Sequence, residues 1–98
     1  MKLVRFHDAA RIELLNEVRY YTGISPKLGE RLAIAVEQAT QLASEFPEVG
    51  TPYKYGTRRV FPRKFPFSIV YVIHEAEVYI VAVAPFRRKP DYWRERSK

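Results

Sequence analysis

The residues best suited to chemistry in this chain are cations, and they come in two clusters. Arg58, Arg59, Arg63 and Lys64 fall within residues 49–74, a stretch with five bases and no acid. Arg87, Arg88, Lys89, Arg94, Arg96 and Lys98 crowd the last twelve residues, with Tyr92 and Trp93 between them. Residues 8–48, by contrast, carry seven acids and four bases. The net charge of +6 therefore sits mainly in the second half. Gathered guanidinium and ammonium groups attract phosphate backbones or an acidic protein partner. The alternative is a solvated surface that keeps the domain soluble.

Other chemistries find little support. There are two histidines and no cysteine, so neither a disulfide framework nor a thiolate metal site can form. His7 precedes the first helix and reads as a structural or capping neighbour. His74 ends a strand beside a turn and reads as solvent-exposed. Neither stands at ligand spacing from an Asp or Glu, so no zinc or iron site is expected. There is no glycine-rich phosphate loop and no serine or cysteine nucleophile signature, and no cofactor is expected. Charge at Lys2, Arg5 and Asp8 interrupts the N-terminus too early for a secretory signal. No apolar run approaches the ~20 residues of a membrane span. A cytoplasmic location is the expectation.

The elements that would carry these clusters follow from periodicity. At 98 residues the expectation is one domain over 1–98. Lys2–Phe6 is a short strand. Asp8 can cap a helix over about 9–22, with Leu14, Val18 and Tyr21 on one stripe, Ile12 and Leu15 widening it, and Gly23 as its stop. Tyr20 and Tyr21 are expected in the core of the helical hairpin. Ser25-Pro26 opens a second helix. Its stripe is Leu28, Leu32, Ala35, Val36, Ala39, Leu42 and Phe46, and Pro47 ends it. Arg58–Phe61, Phe67–Ile73 and Val78–Ala84 are strands, the last two rich in β-branched and aromatic residues. Asp91–Arg96 is one helical turn. Both long strands are apolar on both faces, so one face meets the helices and the other is covered by the C-terminal segment or a partner. The order is β-α-α-β-β-β, an α+β fold with a two-helix hairpin on one face of a small, mainly antiparallel sheet. The strand order stays open.

That order and three motif blocks resemble the RelE/ParE toxin superfamily of type II toxin–antitoxin systems. The first block is Phe6-His7-Asp8-Ala9-Ala10 leading to Glu13-Leu14, Tyr20-Tyr21 and Ser25-Pro26-Lys27-Leu28-Gly29. The second is Arg58-Arg59 followed by Phe65-Pro66-Phe67-Ser68-Ile69-Val70-Tyr71. The third is Val81-Ala82-Val83-Ala84, then Arg87-Arg88, Pro90, Tyr92-Trp93 and Arg96. Together the blocks resemble the ParE-like branch, the plasmid stabilisation proteins. The resemblance implies an adjacent antitoxin that wraps a partly disordered segment over the toxin. It further implies one of two activities: RelE-like cleavage of mRNA on the ribosome without a metal, or ParE-like poisoning of DNA gyrase without hydrolysis.

Metal-free RNA cleavage requires a base, an acid and fixed cations around the phosphate. The resemblance places a functional RelE arginine at the position of Ser68, which supplies no cation. Where many relatives carry histidine after the last strand, Pro85 stands, and proline cannot move a proton. Arg87, Arg88 and Tyr92 remain as the catalytic candidates if the chain is a ribonuclease, without an obvious base near neutral pH. The candidate target- or antitoxin-binding residues are Arg59, Lys64, Arg87, Arg88, Tyr92, Trp93 and Arg94. For Tyr92-Trp93 a packing lid over the open sheet face competes with a base-stacking platform. For Arg58-Arg59 a role as strand flanks competes with contact to an anion. The missing catalytic positions favour the ParE-like binding toxin. The alternatives are the endoribonuclease and a degenerate, non-toxic antitoxin-binding member.

Overall fold

A computed structural model describes residues 1–97. The chain runs β1 (Leu3–Phe6), α1 (Asp8–Ile24), α2 (Pro26–Glu45), β2 (Thr51–Pro52), β3 (Arg58–Val60), β4 (Phe67–Ile73), β5 (Glu77–Pro85) and a C-terminal 3-10 segment, Pro90–Ser97. The five strands form one sheet in the order β1-β5-β4-β3-β2. β1 pairs parallel to β5, and every other pairing is antiparallel. The expected β-α-α-β-β-β order stands, with β2 as a two-residue addition that no periodicity announces.

Local chemistry explains the helix ends and corrects two expectations. His7, not Asp8, is the N-cap of α1: its Nδ1 accepts from the Ala9 N–H at 3.0 Å. Asp8 is the first helical residue, where its charge still complements the helix dipole. Gly23 does not stop α1, which continues to Ile24 and ends at Ser25 in extended backbone (φ −160°). Pro26 explains this, because its ring disfavours helical geometry in the residue before it. The Ser25 hydroxyl makes no capping bond. Its carbonyl accepts instead from the N–H groups of Leu28 and Gly29. The hairpin is tight at Gly29, where an added Cβ would sit 1.9 Å from Thr22 Oγ1.

The helices cover one face of the sheet. Leu32, Val36, Ala39 and Ala43 pack with Ile69, Tyr71, Val78, Ile80 and Val83, joined from α1 by Leu14, Val18 and Tyr21. The edges of the predicted stripes do not reach this core: Ile12 and Leu15 on α1, and Leu42 and Phe46 on α2, are exposed. Of the tyrosine pair, Tyr21 packs on Phe65 while Tyr20 is 64% exposed. The buried Tyr71 hydroxyl donates to the Pro47 carbonyl at 2.6 Å and accepts from Gly50 N–H at 2.9 Å, tying β4 to the end of α2.

The opposite face carries a second core of Val70, Val72, Val81, Ala82, Ala84 and Trp93, flanked by Tyr53, Tyr79 and Tyr92. Alternation lets each long strand serve both cores, and a bulge changes its phase partway along β5. Tyr71 pairs with Ile80 but Val70 with Ala82, so Val81 is an extra residue. The insertion reverses the alternation of side chains. Val83 then faces the helices, and Ala82 and Ala84 join the second core under Trp93.

Candidate functional site

The second core is where the predicted site residues gather. Arg59 lies on β3 opposite Val70, and its guanidinium stacks 3.9 Å over the Tyr53 ring and 5.1 Å over Phe61. Its Nη1 lies 3.5 Å from Ser68 Oγ on the neighbouring strand. A cation therefore stands beside Ser68, carried by the neighbouring strand. Arg88 follows the turn after β5 and stacks 3.6 Å over Tyr92. Between Arg59 and Arg88 lies a cleft of about 340 Å³, lined also by Tyr53, Ser68, Phe86 and Trp93. Trp93 is fully buried, so of its two expected roles the packing lid holds.

The other cations are dispersed. Arg87 and Arg88 border a neighbouring cleft with Glu13, Asn16 and Glu17 of α1. Arg94 stacks 4.9 Å over Tyr55. Lys64 lies elsewhere, in a groove with Arg63, Phe65 and the α2 residues Leu28, Arg31 and Ile34. Arg58 donates to the Gly50 carbonyl at 2.8 Å and to Glu48 O at 3.1 Å, a structural duty that separates it from Arg59.

Two residues of this region, Glu13 and Arg96, stood in the sequence within the motif blocks, with no site role assigned. β1 pairs only with Glu77–Ile80 and leaves the second half of β5 with an open edge. Glu13 and Arg96 close it. The Glu13 carboxylate accepts from Val83 N–H at 3.0 Å and from Arg96 Nη1 at 3.0 Å, while Arg96 donates to Val81 O at 3.2 Å. Only the i, i+83 contact reveals the pairing.

Proton transfer is poorly served here. The Tyr92 hydroxyl is buried without a hydrogen-bond partner, and burial, reinforced by the Glu13 charge, pushes it up to about 12. It is a closed phenol at neutral pH. Glu13 is committed to a backbone amide and an arginine. His7 caps a helix, and His74 stands half-exposed at the far end of β4, with Nδ1 3.1 Å from Glu77. The expectation of a lone exposed His74 is corrected to this extent: an acid three residues on does pair with it. Among the described residues no three His, Asp or Glu side chains cluster closely enough to hold a metal ion. What the arrangement can do is present cations on aromatic supports.

A two-helix hairpin laid across a five-stranded mixed sheet is the fold of a known class of small toxins. The fold is similar to that of a solved chain described as "Chromosomal ParDE TA system from P. aeruginosa". The TM-score is 0.76 at 17% identity, covering 87% of this chain and 96% of that one. Residues 4–90 match the family described as ParE toxin of type II toxin-antitoxin system, parDE. The chain belongs to that family. None of the curated proteins matches it. Among the described residues no helix is long and apolar enough to cross a membrane.

Proposed function

We propose that this ParE-family toxin arrests growth by binding, with DNA gyrase as its target in the cytoplasm, and that a cognate acidic antitoxin neutralises it. The observation that carries this reading is the state of Tyr92. The phenol that Arg88 stacks on is sealed from solvent and held protonated, and the carboxylate next to it is already engaged. Cations without a mobile proton support docking better than phosphodiester cleavage. The docking surface is the tail face, with Arg88 and Arg59 at its cleft and Arg87 and Arg94 beside it. The groove of Lys64, Arg63 and Arg31 is a second cationic surface for an acidic partner. The partner's segment orders on binding, placing apolar anchors on the toxin and acids on these arginines.

The test is expression of the chain alone, followed by gyrase supercoiling with purified protein. Growth arrest with inhibited supercoiling and intact RNA is the expected result. Ribosome-dependent mRNA cleavage that is lost in Arg88→Ala would replace it with the endoribonuclease. Harmless expression would replace it with a non-toxic, antitoxin-binding member. High salt should slow association with the antitoxin more than it speeds dissociation, since exposed charges steer encounter. An on-rate indifferent to salt contradicts charge steering.

A further inference from the structure

We propose that the cleft between Arg59 and Arg88 is a receptor slot for one carboxylate side chain of an acidic protein segment, a contact that rests on the antitoxin reading above and specifies it. Three observations converge on this slot. Arg59 is half-buried, yet the ion pairs among the described residues are Arg5–Glu77, His74–Glu77 and Arg96–Glu13, and neither Arg59 nor Arg88 is in one. A guanidinium held among rings and facing only a serine hydroxyl at 3.5 Å lacks a counter-charge. Second, among the described residues the buried side-chain polar atoms without a partner are Arg59 Nε, Trp93 Nε1 and Tyr92 Oη. Two of the three belong to residues lining this cleft, and both are N–H donors. Donors without acceptors call for an acceptor-rich guest. Third, no acid lines the cleft.

The shape of the slot selects among anions. Its walls are aromatic: Tyr53 beneath Arg59, Trp93 at the base, and Phe86 and Phe61 in edge-to-face contact with ring centroids 5.9 Å apart. Phe86 is 57% exposed and Phe61 46%, so this pair forms a rim that can part to admit a guest. A phosphodiester arrives on a bulky, hydrated polymer and would have to carry that backbone into an apolar slot. A glutamate carries its charge on two methylenes, which suit aromatic walls, and its planar carboxylate matches the side-on Nε–Nη edge of an arginine in a bidentate pair. Arg88 closes over the guest from the opposite side. Specificity then comes from desolvation, because the same acid left outside gains only a screened surface interaction.

Trp93 is the sole tryptophan, so its indole N–H resonance reports on this slot alone. The experiment titrates the isotope-labelled full chain with three probes at constant ionic strength. They are a capped Gly-Leu-Glu-Leu-Gly peptide, its Gln counterpart and an oligothymidylate. The Glu peptide should move the Trp93 indole resonance downfield, and the Gln peptide should bind at least about tenfold more weakly. Arg59→Lys, which keeps the charge but loses the planar fork, should weaken the Glu peptide about tenfold, whereas Arg11→Lys on the far face of α1 should not. Equal response to Glu and Gln peptides, or no response to either, overturns the slot. An oligothymidylate that moves the resonance at lower concentration than the Glu peptide overturns it in favour of a phosphate site. Because Glu and Gln differ on the ligand, this outcome does not depend on a variant folding. Growth arrest by the chain alone tests the toxin reading separately, so a silent Trp93 resonance in a toxic chain condemns only the slot.

Discussion

The two faces of the sheet are built on opposite terms. Under the helices the core is apolar and closed, and the buried Tyr71 hydroxyl within it has both a donor and an acceptor partner. Under the C-terminal segment rings stack with arginines, and here lie the three buried side-chain polar atoms that lack a partner among the described residues. The covering elements differ in kind as well. One face has two long α-helices. The other has an eight-residue 3-10 run, longer than such helices usually persist because their hydrogen bonds are strained. The lesson is a division of labour: the helical face supplies stability, and the tail face leaves donors and cations uncommitted.

Substitutions can break that division. The largest expected effect is Leu32→Ala under the helices, a fully buried truncation that should cost about 2–5 kcal/mol in denaturant unfolding. A cost under ~1 kcal/mol would mean that the helical face is not the stabilising one. Glu13→Ala should follow, at about 2–4 kcal/mol, because it strands both the Val83 amide and the Arg96 guanidinium, whose side chain is only 18% exposed. Glu13→Gln should recover part of this through the amide contact.

Tyr92→Phe should stay within about 1 kcal/mol of the parent, leaning towards stabilisation, since the hydroxyl it removes has no partner. It should also change the alkaline limb. The raised Tyr92 value means that its stabilising contribution is complete below the ordinary tyrosine range near 10 and is lost as pH rises through about 12. Tyrosine absorbance during alkaline titration should show one late-ionising group that the variant lacks. The smallest effect belongs to the exposed edge. Arg5 first, and then His74, hold the Glu77 carboxyl down at about 2. Its contribution is present above the ordinary carboxylate value of 4.5 and fades as pH falls towards 2, so Glu77→Gln should flatten the acid limb only slightly.

Much of the fold was legible because it rests on periodicity. The apolar stripe of α2 named Leu32, Val36 and Ala39 as core, and the two β-branched runs named β4 and β5. Stripes have soft edges, however. Tyr20 and Tyr21 are neighbours 100° apart on a helix, and sequence alone could not say which of them turns inward. Capping was misassigned by one residue because an aspartate is the commoner cap, although an imidazole nitrogen can accept the same bond. The bulge at Val81 left no trace in composition, since valine and alanine suit either face. Of the site, Arg59, Arg88 and Trp93 were named from their types, but their meeting in one cleft was not visible. It depends on the β3–β4 register and on the tail folding back under the sheet. Lys64, named with them, went to a different surface because the loop before β4 carries it towards α2.

The Glu13–Arg96 clasp has a practical consequence. Half of β5 is shielded by two side chains where another strand would normally lie, and one of them comes from the C-terminal 3-10 segment. Shortening the tail ahead of Arg96 would bare a strip of backbone amides and carbonyls ready to zip onto a second molecule. Clipped preparations should therefore drift into aggregates while the full-length chain stays dispersed.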